Sequence, residues 1–446
     1  MRRLTPLAVL LLTACGEKPP APGNELPTEG TTSRIQGSLT VRTHYADRPD
    51  WRERYPSVYV LLGDGSRFRQ ALDDQGTARF QDPALVGAQD ITVVEEQKGG
   101  AMMVYTLLAM DDPEPELPFG PGPVSEETVR TKQATLSGNV TGATGTGPVS
   151  TLVVGEGFHG QAPWNSPPPG TFSFEVWGSE PGRVSLFASE STPDESRVLR
   201  VGMKRDIAVG GGQPVTGQEV VLDHAVDQTL GVTVEGLAPH GTRANAWLLY
   251  SEGSRELFST YAQGTPPLSL PAIARTAPFD TTRMNVGVGA GDEDDLPLGS
   301  TSTQVRVGET PPVNIKLLAP LNLASPALGT RTSPGTAPRG SLVFRWSADP
   351  TARFVKLAFM PLSGSTSRPL YWNVLAPASV TTFTPFPLPA EAAPQSTLEA
   401  GLYAMEAQSL DYGEGAGVPD YIYNSVNPDP LREQRKTEVQ GYVMLQ

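Results

Sequence analysis

Cysteine is almost absent. Cys15 is the single one among 446 residues. One thiol closes no disulfide within a chain and ligates no iron–sulfur cluster, so the folded parts must rest on ordinary apolar cores. Histidine is nearly as scarce. His44, His159, His224 and His240 are widely spaced, and none falls in an HExxH pattern. They read as surface or strand residues rather than as metal ligands. No GxSxG elbow occurs, and no Ser, His and Asp form a local catalytic signature. With 48 acidic residues to choose from, no carboxylate pair can be singled out for glycoside chemistry. Positive charge is in deficit too: 34 Lys and Arg leave a net charge of −14. Nucleic-acid affinity comes mainly from Lys and Arg on phosphates, so no nucleic-acid partner is expected. The acidity reads as solubility.

Helical patterning is missing as well. No long stretch spaces its apolar residues at i, i+3, i+4 and i+7. What the chain has instead is turn chemistry: 46 Gly and 44 Pro, dispersed between short runs that alternate apolar and polar residues. That is the pattern of many short strands. For 446 residues, several small β domains suit better than one large core. The expected class is all-β.

The N-terminus has a layout of its own. Arg2 and Arg3 precede an apolar run from Leu4 to Leu12, then small Thr13 and Ala14. A charged head, a short apolar stretch and small residues make a secretory signal peptide, here residues 1–14. The run is far shorter than the ~20 residues that span a bilayer. Leu12-Thr13-Ala14-Cys15 resembles the lipobox of bacterial lipoproteins. The resemblance implies that Cys15 becomes the first mature residue and carries lipid on its sulfur and its new amino group. Loss of Arg2 and Arg3 would take the net charge from −14 to −16. One acyl chain anchors only reversibly, whereas the three of a mature lipoprotein hold firmly. Gly16, rather than Asp, follows the cysteine, which in such lipoproteins favours the outer membrane where the organism has one. The expected location is therefore the cell envelope, secreted and lipid-anchored.

Residues 15–33 hold almost no large apolar side chains and read as a flexible tether. Beyond it, "IQGSLTV" at Ile35, "LSGNVTG" at Leu136 and "LGVTVEG" at Leu230 repeat one kind of opening strand. Leu136, Val140 and Gly142 fall on Leu230, Val234 and Gly236. Val220 and Leu222 near one end match Ile315 and Leu317 near the next. A period of about 94 residues fits a single β-sandwich. The expected units are 34–110, 131–224, 225–318 and 319–446, with a Pro-rich acidic linker at 111–130.

The first unit combines "VYVLLGDGSRF" with "ALDDQGTARF" and later strands. It resembles the carboxypeptidase-regulatory or transthyretin-like sandwich, a family of generally non-catalytic modules. The second and third units resemble it through their opening and closing strands. In the last unit Trp346 lies in an alternating strand, and Leu398, Gly401 and Tyr403 open another. That arrangement resembles a fibronectin type III domain, which implies a core tryptophan and a tyrosine bonding back at a corner. "GEGAGVPDYIYNSVNPDP" is expected as a long loop, and "KTEVQGYVML" as the strand that closes the sheet. The whole reads as several tandem Ig-like or transthyretin-like β-sandwiches in an extended array, and the linkers suggest a jointed rod.

Three local features bear on function. Gly155, Gly157 and Gly160 satisfy GxGxxG, but prolines at 163, 167, 168 and 169 follow where a phosphate-binding helix would have to start. The stretch reads as a glycine-rich β turn, or as a ligand loop in which Phe158, His159 and Trp164 present rings to a sugar. Asp292, Glu293, Asp294 and Asp295 crowd one loop. Asp292, Asp294 and Asp295 could supply oxygens to calcium, though DxDxDG spacing is missing and a solvated acidic turn explains them as well. Trp177, Trp247 and Tyr250 read as core or sheet-face residues. With no catalytic residue to name and no cofactor implied beyond that calcium, the expected function is non-enzymatic. It is an envelope structural role or the binding of a protein or glycan partner, an enzyme with an unrecognised active site being the second alternative.

Overall fold

The computed structural model describes residues 34–120, 130–162, 170–253, 255–291, 298–306, 313–362, 369–393, 397–413, 416, 418–423 and 434–446. About 59% of the chain is strand and 5% helix, so the class is all-β. The alternation in the sequence does what a pleated strand requires. In Thr171–Gly178, Phe172, Phe174 and Val176 point inward while Thr171, Ser173 and Glu175 face solvent.

Four tandem sandwiches result, each pairing a three-stranded sheet with a four-stranded one, and in the fourth the short strand Gly335–Ala337 adds a fifth beside Gln434–Leu445. The 94-residue period has a structural counterpart. Opening strand Thr131–Thr141 lies parallel to closing strand Gln213–Val221, with Val140 beside Val220. Gln228–Glu235 lies parallel to Val313–Lys316 in the same way, with Val234 beside Ile315. Gly142 and Gly236 end the two opening strands at the same φ of 78°. A Cβ on either would press on a backbone carbonyl, that of Leu222 or of Leu317. Both positions need glycine twice over, for the left-handed turn and for the close approach.

The sandwiches follow one another in sequence but not in space, and the jointed rod gives way to a cross-linked body. Strand Met102–Met110 of the first sandwich pairs in parallel with Leu370–Pro377 of the fourth, from Met102–Leu370 to Leu107–Leu375. Strand Leu298–Arg306 of the third pairs antiparallel with Gln434–Leu445 of the fourth. The large sheets of the first, fourth and third sandwiches thereby form one sheet of thirteen strands. The C-terminal strand, expected to close a sheet, lies inside this one. It is held by Gly401–Asp411 on its other side.

Two cores straddle the first joint. Met102 and Val104 face the fourth sandwich's core with Trp372 and Val374. Leu107 and Leu375, on the opposite face, enter the first sandwich's core. The small sheets of the two sandwiches therefore cover opposite faces of the joined sheet. The Trp372 indole N–H donates to Thr106 Oγ1 at 3.0 Å across the seam.

The linker expected at 111–130 belongs to the first sandwich as far as Gly120. Glu116–Leu117 adds a parallel strand beside Gln36–Thr43, and Phe119 is buried. Apolar Leu117 and Phe119 among the prolines make this the better-buried course. The loop expected near residue 420 contains a helical turn, Val418–Tyr423, whose Tyr421 is buried in the first sandwich's core. Trp346 is buried in the fourth, and the Tyr403 hydroxyl donates back to the Glu399 carbonyl at 3.1 Å.

The second sandwich packs its outer face on the third. Phe187 stacks on Phe258 at 5.9 Å and meets Phe279 edge-on at 6.3 Å. Arg205 forks onto Glu252 at 2.6 and 2.9 Å and also donates to the Pro278 carbonyl. Phe187 is fully buried there, so Phe187→Ala should cost about 3–5 kcal/mol. Calorimetry of the variant should show the second sandwich melting before the rest. A single unshifted transition would contradict this coupling.

Candidate functional site

The seam between the first and fourth sandwiches carries a half-open cavity of about 350 Å³. Its floor is four adjacent strands: Gln89–Glu96, Met102–Met110, Leu370–Pro377 and Phe354–Pro361. Register sets the side chains in rows. Glu95 and Met103 share one, Tyr105 and Asn373 the next, and Leu107, Leu375 and Lys356 the third. All project from one face, because partners in a ladder point the same way and residues two apart repeat it.

The walls come from chain segments that look like connectors in the sequence. Pro118, Phe119 and Gly120 line one side, and Tyr421 and Ile422 of the helical turn line another. Phe119 stacks on Tyr105 with centroids 4.4 Å apart. At Gly120 a Cβ would come within 2.6 Å of the Tyr45 backbone nitrogen, so the segment lies flat only as glycine. The His44 N–H donates to the Phe119 carbonyl at 2.9 Å and pins it.

Glu95 is the buried charge of this site. Its carboxylate accepts from the Tyr45 hydroxyl and from Gln97 Nε2, the latter at 2.9 Å. Burial pushes the carboxyl above its usual range, and these two hydrogen bonds oppose the shift without cancelling it. Burial, with the charge of Glu95 adding to it, drives Tyr45 well up and Tyr105 to about 12. Lys356 stands at the far corner. Burial lowers its ammonium, Glu406 on the next strand opposes that, and Lys436 adds to it. Neither the Lys356 ammonium nor the Asn373 amide has a hydrogen bond or ion pair among the described residues. The arrangement offers an acceptor at one end, donors at the other and aromatic walls between, which is a binding geometry.

The residues singled out in the sequence lie elsewhere. The Phe158 ring lies against Gly178 and Gly182, where a Cβ would come within 2.7 and 2.8 Å of it, and beside Gly155. The partly buried ring packs against the second sandwich's core. His159 pairs through its backbone with Trp177, N–H to carbonyl at 2.9 and 2.8 Å in the two directions. Desolvation, with Arg130 and Arg255, lowers its imidazole. The loop thus forms a β bridge, and Trp177 remains 41% exposed. Trp164, the acidic Asp292, Asp294 and Asp295, and Cys15 lie outside the described residues. Among the described residues no three His, Cys, Asp or Glu gather as a metal site.

One hydrogen-bonded line resembles catalytic chemistry. His224 Nδ1 meets Asp223 at 2.6 Å and Nε2 meets Thr276 Oγ1 at 3.0 Å. The imidazole is wedged against Phe279, 4.9 Å between centroids, where the second and third sandwiches meet. Its place at that contact makes it a bolt between sandwiches.

No family model matches the chain, and no curated protein matches it. Among solved structures, the eight N-terminal Ig domains of Down Syndrome Cell Adhesion Molecule isoform 1.30.30 align at 9% identity. The alignment covers 87% of this chain and 67% of that one, with a TM-score of 0.12, which carries no argument.

The raised carboxyl of Glu95 fixes the sign of a pH effect. The folded protein holds that proton more tightly than the unfolded chain does. This contribution is therefore full below the ordinary value of 4.5 and is lost as pH rises through the raised folded value. Glu95→Gln should remove that decline. Urea titrations at a series of pH values compare the slopes, and parallel profiles would contradict the assignment.

Proposed function

We propose that this chain is a non-catalytic, lipid-anchored lipoprotein of the cell envelope, built to bind or scaffold a protein partner. The observation that carries the reading is the joined sheet. Pairing of the first and fourth sandwiches, and of the fourth and third, makes a stiff frame rather than a string of hinged modules. A stiff frame presents loops at fixed spacing, and partner binding gains from such preorganisation. The lipobox-like Leu12–Cys15 supplies the anchor and residues 16–33 the tether. Tether and frame meet at Arg34, whose backbone N–H and side chain bond Asp111 and Asp112.

The transthyretin-like reading of the first unit agrees with its parallel pairing of first and last strands. The fibronectin type III reading of the fourth agrees with the Tyr403 corner and buried Trp346. Both families are mostly non-catalytic, in keeping with this proposal.

A second reading, glycan binding, draws on the exposed Trp177 ring beside the 153–160 turn. Aromatic faces suit sugar rings, and Trp164 follows in the same segment.

In the producing bacterium, labelled palmitate should be incorporated into the full chain and not into Cys15→Ser. Unlabelled wild-type protein would overturn the anchor. Crosslinking in intact cells should then trap one dominant envelope protein. If only background adducts form, while the mature chain is retained on insoluble polysaccharide and Trp164→Ala is not, the glycan reading replaces the first.

A further inference from the structure

The cavity at the seam has two chemically different ends that belong to two sandwiches. Glu95 stands on the first sandwich and Lys356 on the fourth, three strands apart and two rows out of register. At ~4.8 Å per strand and ~3.3 Å per residue, their Cα atoms lie roughly 19 Å apart. Side chains stand off a sheet roughly side by side, so the two charged ends stay on the order of 13–16 Å apart. Two contacts of ~2.8 Å leave roughly 7–10 Å for a ligand, the span of two to three extended residues.

We infer that this cavity binds a small linear zwitterion of dipeptide to tripeptide length, its ammonium at Glu95 and its carboxylate at Lys356 and Asn373. Three observations converge on it. Glu95 is a buried acceptor aligned by Tyr45 and Gln97, and carboxylate oxygens so held retain lone pairs for a further donor. The rings of Tyr55, Tyr105, Phe119 and Tyr421 line the same cavity and supply apolar walls for the ligand's body. At the other end the Lys356 ammonium and Asn373 amide line the cavity with no hydrogen bond among the described residues, so both keep donors for an incoming carboxylate. Glu406 lies beside Lys356 but bonds Gln408 instead, so it tempers the positive end without occupying it.

A volume of about 350 Å³ falls at the small end of ligand pockets and accommodates a molecule of this size. The site needs both sandwiches in place, since neither carries both charges. Its existence does not depend on lipidation or on a protein partner.

The test is isothermal titration of the full chain carrying Cys15→Ser with four probes: 6-aminohexanoate, trialanine, hexylamine and hexanoate. The two zwitterions should bind at least tenfold more tightly than either singly charged probe. Glu95→Gln should bring 6-aminohexanoate down to the level of hexanoate, and Lys356→Met to the level of hexylamine. Asn373→Ala, a milder change at the same end, should weaken both zwitterions about threefold while hexylamine is unaffected. Equal binding of the zwitterions and the singly charged probes, or no heat from any of them, would overturn the inference. So would an Asn373→Ala protein that melts like the wild type and binds the zwitterions unchanged.

Discussion

Six backbone partners, Met102 to Leu107 against Leu370 to Leu375, decide the shape of the molecule. Each strand would otherwise be the edge of its sheet, with a row of unpaired N–H and C=O groups. Pairing them satisfies both edges at once. It also gives each sandwich a share of the other's core, because consecutive residues of the two strands face opposite sides. The Trp372–Thr106 hydrogen bond fixes the register of the seam from within. Cavity walls, the helical turn at Val418–Tyr423 and the buried position of Glu95 all follow from that junction. Without it, Phe354, Leu375 and Leu410 would leave an apolar face on the fourth sandwich with nothing over it.

Much of the fold was legible because its causes are local. Strict alternation in Thr171–Gly178 records one wet and one dry face. Gly142 and Gly236 record a turn and a close approach that recur every 94 residues. Tyr403, two residues after Gly401, announced its back hydrogen bond. What stayed hidden is non-local. Edge strands of different sandwiches carry no mark naming their partners, and Val104 and Trp372 look like residues of any buried strand. The connector misled for a related reason: its prolines read as a spacer, while Leu117 and Phe119 are too few to show a periodicity.

The binding site was hidden by the same physics. Glu95 follows a β-branched run and reads as a solvent-side residue at a strand end. Only the Tyr45 hydroxyl, from a turn fifty positions earlier, and the wall at Phe119 make it buried. Lys356 sits in an alternating strand at a position that normally faces water. Neither residue has a motif, because the site is made by docking two modules. The aromatic loop at Phe158 illustrates the converse. A ring flanked by glycines in the sequence signals a ligand platform and a packing cradle equally well, and here Gly178 and Gly182, further along the chain, make room for the ring.

The parallel seam also sets a clock. Thr106 and Trp372 are 266 positions apart, and a chain grows at ~5–20 residues per second. The first sandwich therefore waits roughly 15–50 s, on that scale, before its edge partner has been made. Through that interval Met102–Met110 is an open β edge whose outward face is apolar, the kind of surface that pairs with strangers. A chain built this way has reason to depend on a holdase until its last quarter arrives. Truncation near residue 350 would leave not a shorter version of the protein but a permanently sticky one.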